Sequence, residues 1–141
     1  MRRIYWDSML FIYLLEGNAK YAARVRHLLE QSYEREDSLF TSYLALGEVM
    51  AGAAKSASFG KAAIIRETAD EMGFSYLAFD GRAVETFSRL RAVHKIKIAD
   101  SIHLSCAAAE GMDLFLTGDR ELLKLHVPGI HFIADFDTSL L

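Results

Sequence analysis

The chain has 141 residues, of which 52% are hydrophobic, and a formal net charge of -3 at pH 7. This length and composition predict one domain, residues 1–141, that buries its own core. The mild acidity excludes a protein that coats nucleic acid through overall basic charge. The single cysteine excludes a disulfide within the chain, and no apolar stretch approaches the roughly 20 residues of a membrane span, so we expect a cytoplasmic protein.

Short apolar runs alternate along the chain with longer segments of helical periodicity. The short runs predict strands at 3–7, 38–42, 74–79, 113–118 and 130–134. The longer segments predict helices at 8–17, 20–36, 44–55, 59–73, 81–94 and 99–111. Short strands separated by helices need parallel crossovers, so the sequence predicts an α/β fold with a mostly parallel sheet of four to five strands and helices on both faces.

Four acidic residues are expected near one edge of this sheet. Asp7 closes the first predicted strand, Glu48 lies in the helix after the second, Asp100 opens a helix, and Asp119 follows the fourth strand. Ligands of such sheets gather at the carboxyl ends of the strands. If the four carboxylates converge, they repel one another unless a cation neutralises them.

A hard divalent ion is the natural partner of such a cluster, because Mg²⁺ and Mn²⁺ prefer oxygen ligands. Cys106 and His103 supply only two ligands of the kind that zinc prefers, which does not predict a zinc site. An acidic Mg²⁺ site is suited to phosphoryl chemistry, in which the metal activates water and orients the phosphate.

Each acid also has a structural interpretation. Asp7 and Asp100 are in positions where each would serve as the N-cap of the helix that follows. Glu48 has apolar neighbours but would also be compatible with solvent exposure. Thr117 is either an ordinary turn residue or a hydroxyl that holds a metal-bound water or a phosphate oxygen. In "KIKIADSIHLSC", we expect the apolar residues around Asp100 to be buried, namely Ile96, Ile98, Ile102 and Leu104.

Other residues offer weaker signals. The basic run 89–97 precedes Asp100 and is either a solvated helix face or a phosphate-binding patch. His103 is expected to pack or to form hydrogen bonds rather than to act as a general base. Trp6 is expected to fill the core rather than to stack on a base.

Three segments together resemble a known family: "YWDSMLFIYLLEG", "TSYLALGEVMAG" and "KIADSIHLSCAAAEGMDLFLTGDREL". In order and character they resemble the acidic motifs of PIN-domain nucleases, and the small size is similar to that of the VapC ribonuclease toxins. The resemblance covers about Arg3 to Ile133. It implies a three-layer α/β/α sandwich, Mg²⁺- or Mn²⁺-dependent hydrolysis of RNA, a homodimer, and inhibition by a cognate antitoxin protein.

The resemblance also implies roles for individual residues. Asp7, Glu48 and Asp100 become the main metal-binding acids, and Asp119 becomes a fourth that binds an ion directly or through water. Ser8 and Thr117 match hydroxyl positions beside the metal. As a separate hypothesis about the mechanism, positive side chains of the run 89–97 or Arg120 would steady the RNA backbone. The segment "TGDREL" departs from the many relatives that have Asn before the Asp, which leaves the roles of Asp119 and Glu121 open.

Two alternatives belong to other functional classes. One is a PIN scaffold without activity that serves as a binding module. The other is a phosphoacceptor receiver domain with Asp80 as the acceptor and Thr117 two strands further on, although such a domain needs paired acids after its first strand and a lysine after its fifth.

Overall fold

The structure is a computed structural model that describes residues 1–55 and 59–137, with the side chains of residues 54, 55 and 59–61 left out of the description. The described strands are β1 (Arg3–Trp6), β2 (Ser38–Ser42), β3 (Ser75–Leu77), β4 (Met112–Thr117) and β5 (Ile130–Asp135). The described α-helices are α1 (Ser8–Leu15), α2 (Ala22–Glu34), α3 (Tyr43–Lys55), α4 (Phe59–Glu71), α5 (Val84–Ala92) and α6 (Ile98–Glu110). Short 3₁₀ helices span Gly81–Ala83 and Arg120–Lys124.

The five strands form one parallel sheet in the order β3-β2-β1-β4-β5. The central strand β1 pairs with β2 on one side and with β4 on the other, with Trp6 opposite Leu116. This register brings the ends of β1 and β4 to the same level, so that Asp7 follows β1 beside Thr117. The predicted α/β fold with a parallel sheet is confirmed.

Each face of the sheet covers its own hydrophobic core, because successive side chains of β1 point to opposite faces. Ile4 and Trp6 pack into a first core with residues of α1, α2, α3 and α4. Tyr5 packs into a second core with Leu90 of α5 and Leu104 of α6. The helices therefore form two layers around the sheet, and Trp6, fully buried, is a core residue as expected.

Several element boundaries differ from the sequence prediction. The third strand is shorter than predicted, since Ala78, Phe79 and Asp80 lie exposed beyond Leu77. The predicted helix 81–94 divides into a 3₁₀ turn and α5, and the Asp80 carboxylate caps that turn by accepting from Arg82 N at 3.0 Å. The predicted helix 20–36 is shorter at both ends and spans Ala22–Glu34.

The receiver-domain alternative is wrong. Flavodoxin-like receivers have the strand order 2-1-3-4-5, whereas this sheet has β1 at its centre between β2 and β4. Asp80 is exposed and forms an ion pair with Arg82 at 3.2 Å, and the Thr117 hydroxyl donates to Asp7 instead.

Among the helices of the described ranges, none is long and apolar enough to cross a membrane.

Candidate active site

Asp7 is held from three directions where β1 ends and α1 begins. Its Oδ1 accepts a hydrogen bond from Met9 N at 3.0 Å, so it caps α1, as predicted. Its Oδ2 accepts from Thr117 Oγ1 at 2.6 Å and from Gly118 N at 3.3 Å. Burial raises the pKa of Asp7, and the Thr117 hydrogen bond opposes that rise. The cap is therefore only half of the role of this carboxylate.

The turn after β4 is folded tightly against α1. Thr117 is fully buried, and its Oγ1 also accepts from Asp119 N at 3.0 Å, so one hydroxyl links Asp7 to the turn. A Cβ on Gly118 would lie 3.3 Å from the Met9 Cβ, a spacing that favours glycine. Asp119 Oδ1 accepts from Glu121 N at 2.9 Å and caps the 3₁₀ helix Arg120–Lys124.

Glu48 reaches the same region from α3, where His103 of α6 orients it. His103 Nε2 lies 2.7 Å from Glu48 Oε1. Because this nitrogen faces a carboxylate, it carries a proton and donates. The solvent-facing interpretation of Glu48 is therefore incomplete, since its side chain is partly exposed but bound to a buried histidine.

The histidine is supported from behind by buried hydroxyls. His103 Nδ1 lies 2.7 Å from the Tyr5 hydroxyl oxygen, and that oxygen lies 2.9 Å from Ser42 Oγ. Ser42 Oγ in turn accepts from Ala45 N in the first turn of α3. Burial raises the pKa of Tyr5 well above its usual value, so the phenol keeps its proton. The chain Ser42–Tyr5–His103–Glu48 thus couples two strands and two helices to one carboxylate.

Asp100 lies in the first turn of α6 and is not its N-cap. That position belongs to Lys97, whose side chain does not cap the helix, so the capping interpretation of Asp100 is wrong. Asp100 is partly buried, and burial together with the charges of Asp119 and Asp7 raises its pKa, while His103 opposes the rise. A partly buried carboxylate next to two others is costly without a neutralising cation.

The apolar neighbours of Asp100 anchor α6 less uniformly than predicted. Leu104 is fully buried, and Ile96 packs against the second core. Ile98 is 56% exposed, which contradicts the prediction that it is buried. Ile98 is the first residue of α6 and faces away from the sheet, whereas the contacts of Ile96 and Leu104 fix the direction of the first turn.

One open pocket of about 490 Å³ joins these groups. All four predicted acids line it, together with Ser8, which is buried, and Arg120, whose Nε lies 3.2 Å from Asp135 Oδ2. Thr117 lies behind Asp7 and acts on the pocket through it. The residues that line this pocket are Asp7, Ser8, Met9, Glu48, Lys97, Asp100, His103, Gly118, Asp119 and Arg120.

The donor set fits a hard divalent cation in its chemistry, because it consists of carboxylate oxygens and a hydroxyl. Burial, followed by the charges of Asp119 and Asp7, raises the pKa of Asp100, and a cation in the pocket would offset both effects. Within residues 1–55 and 59–137, no three His, Cys, Asp or Glu side chains lie close enough together to hold a metal at once. An ion bound here would therefore require small side-chain shifts or bridging waters, as is common for Mg²⁺.

Tyr5 and Ser42 escaped the sequence analysis, and His103 was given only a general hydrogen-bonding role. The available signals were spacings: Tyr5 lies two residues before Asp7 in a strand, and His103 lies three residues after Asp100 in a helix, which places each pair on a common face. The contact between His103 and Glu48 depends on how α3 and α6 pack, which no local pattern reveals.

Comparison with known proteins identifies the family. A profile of the PIN domain matches residues 4–127, and the chain belongs to the PIN domain family. Comparison with curated protein sequences found no match.

The fold is similar to that of solved structures of VapBC. These include VapBC2 from Rickettsia felis bound to a DNA fragment from their promoter, with a TM-score of 0.75 and 16% identity over 94% of this chain and 98% of that chain. DNA-bound VapBC from Salmonella typhimurium gives a TM-score of 0.73 and 22% identity over 96% and 99% of the two chains. VapBC-1 from nontypeable Haemophilus influenzae gives 0.71 and 14% over the same shares.

Proposed function

We propose that this chain is a metal-dependent endoribonuclease that hydrolyses RNA phosphodiester bonds. The observation that carries the proposal is that four carboxylates from separate parts of the chain, Asp7, Glu48, Asp100 and Asp119, share one open pocket. Such a cluster is unfavourable as a purely structural feature, because burial and then the neighbouring carboxylates raise the pKa of Asp100. Membership of the PIN family supports the same reading.

Mg²⁺ or Mn²⁺ is the proposed cofactor, held by these four acids directly or through water. Bound there, it would neutralise phosphate charge and lower the pKa of a water molecule. The residues of the chain contribute orientation: Thr117, Gly118 and Met9 fix the Asp7 carboxylate, and His103 fixes Glu48. Ser8 and Arg120 are proposed auxiliaries at the pocket wall.

We further propose that the chain is the toxin of a type II toxin–antitoxin pair, acts in the cytoplasm, forms a homodimer, and is inhibited by a cognate antitoxin protein. The fold similarity to chains of VapBC structures supports this assignment. A small DNA-binding protein encoded in the reading frame just upstream would be the expected antitoxin. Arrest of growth on expression, relieved by co-expression of that protein, is the expected result.

The substitution Asp100→Asn tests the chemistry. Incubated with single-stranded RNA and Mg²⁺, the wild-type chain is expected to cleave it, EDTA is expected to stop cleavage, and the variant is expected to lose at least about 100-fold in rate because it removes a carboxylate from the pocket. Glu30→Gln removes an exposed acid of α2 and serves as the matched control. Wild-type activity in the Asp100 variant would overturn the assignment of this residue.

A catalytically inactive PIN scaffold that acts as a binding module is the second candidate. It is favoured by one observation, the absence of three acidic or histidine side chains at ligating spacing within the described ranges. Under this alternative no RNA is cleaved with either metal, and Mg²⁺ titration leaves the unfolding temperature unchanged.

A further inference from the structure

We call the pocket that Asp7, Glu48, Asp100 and Asp119 line the acid pocket. We propose that a second cavity next to it binds single-stranded RNA, by holding the phosphates on either side of the bond that is cleaved. This cavity has a volume of about 440 Å³ and shares Lys97, Asp100 and Asp119 with the acid pocket, so the two form a continuous groove. Lys95 and Lys124 also line it. The identity of the substrate rests on the proposed function, whereas the location of the groove and its lysines rests on the structure.

Three lysines and three acids line this cavity, so it favours phosphates once a cation neutralises the shared acids Asp100 and Asp119. Lys124 lies 3.2 Å from Glu121, but both side chains are largely exposed, so that pairing is weak and open to exchange. Within the described part of the chain, neither Lys95 nor Lys97 takes part in an ion pair. A strand whose one phosphate lies at the acids would therefore meet cationic groups at its neighbouring phosphates.

The segment that carries Lys95 and Lys97 is firmly anchored. Ile96 packs into the second core, its N–H donates to Leu90 O at 3.1 Å, and its carbonyl oxygen accepts from Arg91 Nη1 at 2.8 Å and from Ser101 Oγ at 3.2 Å. The two lysines flank this partly buried residue. Their backbone is thus held in place while their side chains line the groove, which lowers the entropy lost when RNA binds.

Lys95 also has a strained backbone. Its φ of 57° lies in the left-handed region, where a residue with a side chain costs roughly 1–2 kcal/mol and glycine does not. A glycine at this turn would give a more stable chain but would remove one cation from the groove. The contribution of the lysine side chain to RNA binding offers a functional reason for the strain.

The structure divides the basic run 89–97 into groups with different roles. Lys95 and Lys97 line the groove, whereas Arg91 holds the carbonyl of Ile96. Arg89 lines a separate small cavity with Pro128. Arg89 therefore carries the same charge from the same run without reaching the groove, which makes it a matched control.

A single strand fits this groove better than a duplex. The acid pocket and the lysine cavity measure about 490 and 440 Å³, and each has the size of a site for one small ligand. An acidic polypeptide would meet the same lysines, and the test below includes it as a competing outcome.

Binding of a fluorescent single-stranded RNA, measured by anisotropy in the Asp100→Asn background with Mg²⁺, separates this proposal from catalysis. Replacing Lys95, Lys97 and Lys124 together with Gln is expected to weaken binding roughly tenfold. It is also expected to reduce the slope of log K against log salt by about 2, since each lost contact with a single strand contributes about 0.7. Arg89→Gln is expected to change affinity less than twofold.

Equal losses of RNA affinity in the lysine variant and in Arg89→Gln would overturn the proposal that this groove binds RNA. That conclusion would hold whether or not the wild-type chain cleaves RNA. Lysine-dependent binding without any cleavage would support the groove and reject the proposed nuclease. Polyglutamate of matching charge is the competing probe. If it binds as tightly as RNA and loses as much affinity in the lysine variant, the groove is selective for acidic polypeptide and the RNA assignment is overturned.

Lys95→Gly provides a test in which stability and binding move in opposite directions. The variant is expected to raise the unfolding temperature by roughly 1–4 °C while weakening RNA binding. Glu36 has a φ of 58° after α2, so Glu36→Gly is expected to raise the unfolding temperature similarly and to leave RNA binding unchanged. RNA binding by Lys95→Gly equal to that of Glu36→Gly would contradict a role for the Lys95 side chain.

Discussion

Tyr5 is linked to Glu48 through the imidazole of His103, which contacts both side chains. We expect this link to orient the Glu48 carboxylate. Tyr5→Phe removes one oxygen atom and keeps the ring, which stacks on Phe115 at 4.9 Å. The change leaves His103 Nδ1 and Ser42 Oγ without this partner, so we expect a loss of about 1–3 kcal/mol in the free energy of unfolding. We also expect roughly tenfold weaker Mg²⁺ binding, the lower end of the effect of groups that orient metal ligands.

Urea unfolding and Mg²⁺ titration measure these two effects separately. Tyr76→Phe is the control, since its hydroxyl donates to Asp70 at 2.6 Å outside the pocket. It should leave the Mg²⁺ affinity unchanged. Unaltered Mg²⁺ affinity in Tyr5→Phe would show that the buried chain of hydrogen bonds stabilises the fold without orienting Glu48.

Single residues were predictable where one local role defined them. Asp7 follows an apolar run and precedes a helix, so its capping role could be read from the sequence, but its second oxygen contacts Thr117, 110 residues away in the chain. Asp100 was misread as a cap because the helix already begins at Ile98, which places Asp100 inside its first turn. The partner of a buried polar side chain depends on packing between elements, and local patterns do not encode it.

The close packing of the turn before β5 against α6 depends on one glycine. Gly129 has a φ of 101°, and a Cβ there would lie 2.3 Å from the carbonyl oxygen of Ala108. Gly129→Ala is therefore expected to lower the free energy of unfolding by about 2–4 kcal/mol, through backbone strain together with a forced shift of α6 or β5.

Gly73→Ala isolates the backbone part of this effect. Gly73 has a similar φ of 89° but nothing within 4 Å of its Cβ position. Its substitution should cost only about 1–2 kcal/mol. Both values can be measured from the midpoints of urea unfolding, provided that the slopes of the transitions are equal. Equal losses of unfolding free energy in the two variants would show that the contact with Ala108 is relieved at no cost.

At the scale of elements, the strands were predicted best in the middle of the sheet. The apolar run before Asp7 and the run before Thr117 are buried on both faces, which gives a strong continuous signal. The edge strand β3 has only three residues, because Ala78 and Phe79 lie exposed beyond the last pairing with β2. Apolar composition alone does not show where a strand loses its neighbour.

The strand order of the whole molecule was not predictable from periodicity. Parallel crossovers follow from the alternation of strands and helices, but the placement of β1 between β2 and β4 depends on which surfaces pair across the chain. This order nevertheless determines the pocket, since it brings Asp7 beside Thr117 and Asp119. The sharing of one pocket by the four acids is therefore a property of topology, and the family resemblance rather than the spacing anticipated it.

The stability of the whole molecule is expected to depend on pH and Mg²⁺ together. In the metal-free chain, the pKa values of Asp7 and Asp100 are raised above the ordinary 3.8, in both cases chiefly by burial. The folded state therefore binds more protons than the unfolded state between 3.8 and the raised values. Stability contributed by these groups is complete below 3.8 and is lost as the pH rises through that window.

Under the proposed function, Mg²⁺ should reverse this loss at neutral pH, because it would bind the ionised carboxylates of the folded state. At 100 times its dissociation constant, it would add about 2.7 kcal/mol to the free energy of unfolding. The gain should be larger at about pH 7.5 than at about pH 5, where protons compete for the same oxygens. Calorimetric unfolding at both pH values, with Mg²⁺ or EDTA, measures the difference. Asp100→Asn should lose most of this Mg²⁺-dependent gain in stability, and Glu30→Gln should keep it. If the gain is equal at both pH values in the wild type and in both variants, the ion binds away from this pocket.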